Sequence, residues 1–304
     1  MTSDFNLRII EEFRTDGGRV GGPFEGAVLA LLTTTGARTG KARTSPLGFV
    51  RDDDRLLIVA SAGGAPTHPA WYHNLIAHPR VTVEIGDGHR IETTEMIAVP
   101  ATGGERDRLF ARVVEEAPGY ADYQSATSRV LPVVVLHRVD AREAERLRAV
   151  GDELVKLHTW FREELTTLRT RLTPTQTSPI DAASNAEAAG PPWESALRLR
   201  CLEFCQGLER HHTGEDLVVF PHLEGLFPEL GPALRTLRDE HHVVARIRTD
   251  LHTLLTTEEG DNARLQADFD RLAEELTAHL DHEEALLVPV MNTLGEAPWP
   301  NLTD

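Results

Sequence analysis

The sequence has few cysteines and lacks the long apolar runs that are typical of membrane proteins. Its 304 residues include only two cysteines, and no apolar run approaches the roughly 18 residues of a membrane-spanning helix. Cys201 and Cys205 lie four residues apart in a helical pattern, which favours buried small side chains over a disulfide or half of a zinc site. The first residues, "MTSDFNLRIIEEF", lack the basic-then-apolar order of a signal peptide. We therefore expect a cytoplasmic protein without a transmembrane segment.

Basic residues are also fewer than acidic ones, 31 against 48, and the excess of acidic residues is unevenly distributed along the chain. The formal net charge of −17 argues against nucleic acid or an anionic membrane as a partner. Residues 1–140 carry 15 basic and 18 acidic residues, a net of −3, whereas residues 141–304 carry 16 and 30, a net of −14. Nine of the 14 histidines also fall in the second part. This asymmetry predicts two domains.

Short strands dominate residues 1–140. The segments "AVLALLT", "SPLGFV", "RLLIVASA", "VTVEIG", "IETTEMIAV" and "LPVVVLHRV" are bounded by turn signals such as "DDD" and "GDG". Helices are predicted over 4–15, 68–77 and 103–116. Five or six short strands with few helices favour a small barrel over a doubly wound sheet.

Helical periodicity dominates the rest of the chain. It predicts four long helices, over 141–172, 193–222, 230–256 and 262–293, and residues 173–192, rich in proline, alanine and serine, are predicted to form a mobile loop. Four long helices favour an antiparallel bundle with its functional groups in the core. The predicted fold class is thus α+β, a barrel followed by an all-α four-helix bundle.

Each predicted long helix places one histidine within its apolar stripe. The inward positions are His158, His211, His241 and His279, and Glu215 and Glu283 follow two of them by four residues. A lone inward histidine is more often a hydrogen-bonded core residue than a ligand. Four imidazoles and two carboxylates in one apolar interior are costly unless cations pair them. Nitrogen and oxygen donors without thiolates favour a di-iron or di-manganese site.

The register of these residues leaves two alternatives open. His212 with Asp216 could face inward instead of His211 with Glu215, and Glu284 could replace Glu283. By the same spacing, His242 lies on the solvent face of its helix, beside several arginines.

The helical half resembles a known family. Its segments "LVKLHTWFREEL", "RHHTGEDLVVFPHL", "LRDEHHVVARI" and "HLDHEEALLVP" resemble the hemerythrin-like, HHE cation-binding family. The resemblance implies a non-haem di-iron centre ligated by His158, His211, Glu215, His241, His279 and Glu283. Oxygen-carrying relatives have a second histidine one turn further along the third helix, where this chain has Ala245. That difference implies an additional open position, and with it redox chemistry, oxidase activity or sensing.

Three motifs in residues 1–140 are candidates for ligand binding. "TTTGARTGKARTSPL" places Arg38, Lys41 and Arg43 in a loop that could cradle a phosphate or could be a basic hairpin turn. "ASAGGAPTHPAWYHNL" provides small residues that admit a flat ring, next to a helix with aromatic side chains. Tyr120 and Tyr123 share one helical face, where they could donate to a substrate, although their spacing favours packing.

Together these motifs resemble the deazaflavin-dependent nitroreductase family, whose members have a split β-barrel of the FMN-binding-like type and use coenzyme F420. The resemblance implies cofactor contacts from Arg38, Thr39, Arg43, Thr44, Ser45, Pro46, Leu47, Ser61, Ala62, Trp71, Tyr72, Asn74 and Tyr120. It also implies Tyr120 and Tyr123 as the catalytic candidates. Ala37 and Ala62 stand where some members have basic residues, and Ala117 stands where the nitro-drug-reducing branch has tyrosine.

The two resemblances predict a reductase domain over 1–140 and a di-iron bundle over 141–304. A reduced deazaflavin gives up a hydride, and a pair of iron ions can hold two electrons and bind oxygen. The leading hypothesis is an F420-dependent oxidase that reduces oxygen at the irons. Two alternatives stay open: a quinone or nitro reductase regulated by a module sensing oxygen, iron or nitric oxide, and a biosynthetic oxygenase. The partner is then oxygen or a small-molecule substrate, and a homo-oligomer is compatible with each hypothesis.

Overall fold

The chain divides into two compact units in a computed structural model that describes residues 4–138, 141–172, 192–256 and 262–292. Unit 1 comprises Met1–Asp152, Glu224–Ala233 and Leu286–Asp304, and unit 2 comprises Glu153–Leu223 and Leu234–Ala285. The predicted loop 173–192 lies, except for its last residue, outside the described residues. The domain boundary near residue 140 stays a prediction.

A seven-stranded antiparallel sheet forms the centre of unit 1. Its strands are β1 (Leu29–Thr35), β2 (Ala42–Gly48), β3 (Val50–Asp52), β4 (Arg55–Val59), β5 (Arg80–Gly86), β6 (Ile91–Pro100) and β7 (Val133–His137). They pair in the order β2-β1-β5-β6-β7-β4-β3, so β2 and β3 are the outermost strands. The predicted segment "SPLGFV" contributes to both of these strands. The mixed α+β class is confirmed, and the split-barrel closure stays a prediction.

Both faces of the sheet are apolar, which explains the valine-rich strands. One face packs with Leu75 and presents Ala30, Leu32, Leu56, Ile58, Val83, Ala98, Val134 and Leu136. The other packs with Leu109 and Val113 and presents Val50, Leu57, Val59, Val133 and Val135. Successive residues of β4 and β7 alternate between the two clusters because side chains along a strand alternate in direction. The helices of unit 1 are α1 (Asp4–Thr15), α2 (Ala70–Ala77), α3 (Gly103–Glu116) and α4 (Gly119–Ser125).

Unit 1 also contains a segment that the sequence analysis placed between two helices of the second domain. Glu229 of this segment is fully buried, and its carboxylate accepts a hydrogen bond from Nε2 of His137 in β7. Nη1 of Arg55 lies 3.8 Å from the other carboxylate oxygen. The Phe227 ring meets the His137 imidazole edge-on at 5.0 Å. Residues 224–233 therefore complete the packing around the end of β7.

Unit 2 is helical throughout its described residues. Its helices belong to α5 (Ala141–Leu172), α6 (Pro192–Gly214), α7 (Phe220–Leu226), α8 (Gly231–Thr256) and α9 (Asn262–Asn292), and a π-helical turn, Glu215–Val219, joins α6 to α7. Its core combines leucines with Phe161, Phe204, Phe269 and the two cysteines. The four-helix count of the bundle stays a prediction. Among the described residues, no helix has the length and apolar character needed to cross a membrane.

A close backbone crossing in unit 1 requires glycine on both sides. Gly17 and Gly18 have φ values of +63° and +96° and pass over the end of β5. A Cβ atom on Gly86 would lie 2.1 Å from the carbonyl oxygen of Gly17 and 2.3 Å from Cα of Gly18. Neither neighbour is a flexible side chain, so any larger residue must displace the backbone.

We expect Gly86→Ala to lower the free energy of unfolding of unit 1 by about 2 kcal/mol, since the added methyl group overpacks two backbone segments. Urea denaturation of the full chain measures the change. Gly104→Ala is the matched control, because a Cβ there meets no atom within 4 Å and its effect is expected to stay within about 0.5 kcal/mol. Equal midpoints for the two variants would contradict the crossing.

Candidate reductase and metal sites

The turn between β1 and β2 and the start of β2 present three exposed cations, Arg38, Lys41 and Arg43. The turn is closed by backbone hydrogen bonds from Gly36 N to Lys41 O (2.9 Å) and from Gly40 N to Gly36 O (2.8 Å). Within the described ranges, none of the three cations has an ion-pair partner. The turn is thus a fixed backbone frame whose positive charge is available to an anion.

Asn74 of α2 holds this turn in place. Its side-chain oxygen accepts a hydrogen bond from Ala37 N (3.1 Å), and its amide nitrogen donates to Oγ1 of the buried Thr34 (3.0 Å). The family resemblance implies Asn74 as a cofactor contact. In the structure both ends of its amide bind the protein itself.

Three of the predicted contacts on β2 and α2 pack on one face of the sheet. Leu47, Trp71 and Tyr72 are half-buried and pack against the same apolar cluster. Thr44 shares a 2.8 Å hydrogen bond with Thr33 on the neighbouring strand, while Ser45 and Pro46 are half-buried and Thr39 is exposed. Burial raises the pKa of Tyr72, so this hydroxyl stays protonated at neutral pH.

Arg129 fixes the second predicted loop. Its guanidinium donates to the carbonyl oxygens of Ala60 (3.0 Å), Ser61 (2.6 Å) and Ala65 (2.7 Å), and Nη1 lies 2.9 Å from Nδ1 of His68. These bonds surround Ala62, whose φ of +47° is strained for a residue with a Cβ atom. Arg129 carries no local sequence signal for this role, because its partners lie 61 to 69 residues away.

The two tyrosines of α4 lie beside both of the other motifs. Their rings meet edge-to-face at 5.9 Å, and burial, followed by the neighbouring Tyr123, raises the pKa of Tyr120. A Cβ atom on Gly48 would lie 3.1 Å from the Tyr120 hydroxyl, which places that hydroxyl at the end of β2. The backbone of Tyr123, a residue that is 42% exposed, lies against Gly64. The three motifs predicted from sequence therefore adjoin.

The predicted metal ligands meet in the interior of unit 2. His158 comes from α5, His211 from α6, His241 from α8, and His279 with Glu283 from α9, while Glu215 opens the π turn. All six side chains are buried. His212 is buried with them, so the structure brings both adjacent histidines inward where the sequence analysis treated them as alternatives.

Seven potential ligands form two neighbouring groups. One contains His158, His211, Glu215 and Glu283, the other contains His212, His241 and His279, and the donor atoms within each group lie within 4.8 Å of one another. The two carboxylates connect the groups. Glu215 has its oxygens 3.3 Å from His211 Nε2 and 3.6 Å from His241 Nε2. Oε2 of Glu283 lies 3.5 Å from Nε2 of both His158 and His279.

Carboxylates outside the two groups orient three of the imidazoles. Nδ1 of His158 donates to Glu284 (2.9 Å), Nδ1 of His241 to Asp216 (3.0 Å), and Nδ1 of His279 to Glu240 (2.9 Å). Because Nδ1 carries the proton in each bond, the Nε2 lone pair is free to bind a cation, as in many metal sites. Asp216 and Glu284 therefore face the outer nitrogens, while Glu215 and Glu283 face inward.

Several inward donor atoms lack any partner. Both oxygens of Glu215 and of Glu283, and Nε2 of His212, His241 and His279, are buried without a hydrogen bond. Burial lowers the pKa of His158 to about 4 and that of His211 to about 3, so these imidazoles are neutral. Burial raises the pKa of Glu283 to about 8 and that of Glu215 well above its usual value. Such a donor set fits cations, which would satisfy these atoms together.

The two cysteines contribute no ligand to this site. Burial raises the pKa of Cys201 to about 12 and that of Cys205 to about 11, so both stay thiols in the apolar core, as predicted from their spacing. His242 is exposed, also as predicted.

We expect Arg129→Gln to accelerate amide hydrogen exchange in residues 61–66, because the substitution removes the guanidinium that binds three carbonyl groups of this loop. Mass spectrometry of exchanged peptides measures the rates, with an expected increase of about tenfold or more. Arg112→Gln is the control, since the ion-pair partners of Arg112 among the described residues, Glu115 and Glu116, lie on its own helix. Unchanged exchange in Arg129→Gln would show that the loop does not depend on it.

Metal-free protein should lose stability as the pH rises from 6.5 to 8. The folded pKa of Glu283 is raised to about 8 from 4.5, so stability is fully present below 4.5 and is lost as the pH approaches 8. The histidines, with an ordinary pKa of 6.5, oppose this trend only at lower pH. We expect a loss of about 1–2 kcal/mol in thermal unfolding. Glu283→Gln should make the profile shallower, since Glu215 with its raised pKa remains, and Glu274→Gln on the exposed face of α9 should leave it unchanged.

Comparisons with known proteins match each half of the chain to a family. Residues 7–138 match the F420H(2)-dependent quinone reductase family, and residues 152–291 match the hemerythrin HHE cation binding domain. F420H(2)-dependent quinone reductases from two strains of Mycobacterium tuberculosis are 46% identical over 130 residues, which cover 41% of this chain and 85% of theirs. A solved F420-H2 dependent reductase is 40% identical and covers 36% of this chain and 93% of its own, with a TM-score of 0.33. This chain therefore belongs to the F420H(2)-dependent quinone reductase family through its N-terminal part and carries a hemerythrin HHE domain in its C-terminal part.

Proposed function

We propose that this protein is an F420H(2)-dependent reductase of quinone-type acceptors, and that its HHE domain binds two iron ions and regulates the reductase in response to oxygen, iron or nitric oxide. The observation that carries the reductase assignment is the 46% identity to quinone reductases over the part of the chain that contains all three adjoining motifs. An oxidoreductase of this family needs a place for an anionic deazaflavin and a proton donor for the acceptor.

The cationic turn supplies the first requirement. Arg38, Lys41 and Arg43 would bind the anionic tail of the coenzyme through charge-assisted hydrogen bonds. Asn74 already holds the turn in one conformation. Little conformational entropy would therefore be lost from the turn when the coenzyme binds. Trp71, Tyr72 and Leu47 provide an apolar surface for the ring system.

Tyr120 supplies the second requirement. The bound reduced coenzyme supplies a hydride, which adds two electrons to a quinone and leaves the acceptor one proton short of the hydroquinone. The raised pKa of Tyr120 keeps its hydroxyl protonated, so that it can donate this proton and recover one from solvent. Tyr123, exposed beside it, contacts the acceptor and provides a route to solvent.

The metal assignment rests on the unpartnered donor atoms inside unit 2. His158, His211, Glu215, His241, His279 and Glu283 would hold the two ions, with the carboxylates bridging the two groups. Two iron ions would supply a redox-active pair that reacts with oxygen or nitric oxide. The outer carboxylates on Asp216, Glu240 and Glu284 keep the imidazoles oriented as neutral ligands.

Turnover of the full-length, iron-loaded protein with F420H(2) tests this function. We expect anaerobic oxidation of the coenzyme when a quinone is present, and little oxidation by oxygen alone. Arg43→Ala should weaken coenzyme binding about tenfold and reduce its salt dependence, since one charge-assisted contact is lost. Arg90→Ala, an exposed arginine paired with Asp87, is the matched control.

Two results would contradict the proposal. Metal-dependent oxidation of the coenzyme by oxygen without a quinone would favour the oxidase hypothesis. Absence of coenzyme binding would refute the cofactor assignment itself. Regulation is measured separately. Exposure to oxygen or nitric oxide should change the rate of quinone reduction by the iron-loaded protein and leave the rate of the metal-free protein unchanged.

A further inference from the structure

We propose that the adjacent histidines His211 and His212 ligate different metal ions, and that His212 supplies, from α6, the imidazole that Ala245 cannot supply from α8. This inference rests on the proposed metal centre and changes its composition. A centre that sequence comparison gives as one imidazole short becomes a centre of five imidazoles and two bridging carboxylates.

The surroundings of the two histidines differ although they are neighbours in the chain. Nε2 of His211 lies 3.0 Å from Nε2 of His158 and 3.3 Å from Glu215. The His212 ring instead stacks on His241, with centroids 4.1 Å apart and planes within 8°, and meets His279 edge-on at 5.2 Å. Each histidine therefore belongs to a different group of donors.

His212 has the properties of a ligand and not only of a packed ring. It is 7% exposed, and its Nε2 is buried without a hydrogen-bond partner. A buried imidazole whose nitrogen has no partner loses the hydrogen bonds that it would make to water. Neutral His212, His241 and His279 each offer one nitrogen within 4.8 Å of the others, which a shared cation would satisfy.

Glu215 and Asp216, which follow His211 and His212 by four residues, make different contacts in the π turn. Glu215 begins the turn and faces the interior, between His211 and His241. Asp216 accepts the Nδ1 proton of His241 and stays outside the donor groups. In this assignment His212 would bind the ion directly. Asp216 would act on the same ion indirectly, by orienting the His241 imidazole. π turns of this kind occur frequently at functional sites.

Iron content per chain tests the assignment. Full-length protein is loaded anaerobically with ferrous iron, washed with a chelator and measured by atomic emission. Wild type and the exposed-site control His242→Ala should retain about two ions, and His212→Ala about one. If His212→Ala keeps two ions with wild-type resistance to the chelator, His212 is a packing residue and the inference is wrong.

A double variant tests the role of His212 as a ligand even if His212→Ala folds poorly. His212→Ala combined with Ala245→His returns an imidazole one turn after His241, where i and i+4 residues share a helix face. The double variant should regain the second ion and the melting temperature of iron-loaded wild type. Failure of this rescue in a folded double variant would overturn the proposed exchange of ligands. If wild type itself retains no iron, the proposed metal centre fails and this inference fails with it.

Discussion

The burial of carboxyl and imidazole groups without hydrogen-bond partners is the constraint on which unit 2 depends. Seven donor atoms of Glu215, Glu283, His212, His241 and His279 face the interior with no hydrogen-bond partner. In an apolar core each such atom costs stability, and an ionised carboxylate costs most. The surrounding design follows from this constraint: outer carboxylates fix the imidazole protons, the π turn brings Glu215 inward, and leucines and phenylalanines exclude water around the donors.

The reductase motifs are governed by a different requirement, a fixed backbone. In both loops a polar side chain from elsewhere in the chain binds main-chain groups: Asn74 holds the cationic turn, and Arg129 holds the loop around Ala62. Three cations that have no carboxylate partner among the described residues can then face an anion, because the backbone that carries them is already ordered. The proposed binding residues and the residues that hold their backbone in place are thus separate sets.

How much could be predicted from sequence depends on the range of the contacts. Helical spacing identified one buried histidine per long helix, and alternation identified the strands, because both are local periodicities. The same reasoning admitted only one of His211 and His212, whereas a wide inward face accommodates both. Arg129 and Glu229 could not be found in this way, since their partners lie more than 60 residues away and only the folded chain brings them together.

The packing of residues 224–233 within unit 1 has a consequence for how the protein could be divided. The chain passes between the units four times, after residues 152, 223, 233 and 285. A gene cut once near the end of β7 would yield a reductase fragment without Phe227 and Glu229. His137 would lose the carboxylate and the ring that contact it, and Arg55 would keep only Asp52 of its two carboxylate partners in the described part of the chain. The reductase half therefore cannot be excised as one continuous segment. Replacing it with a single-domain relative would require new side chains to pack against His137.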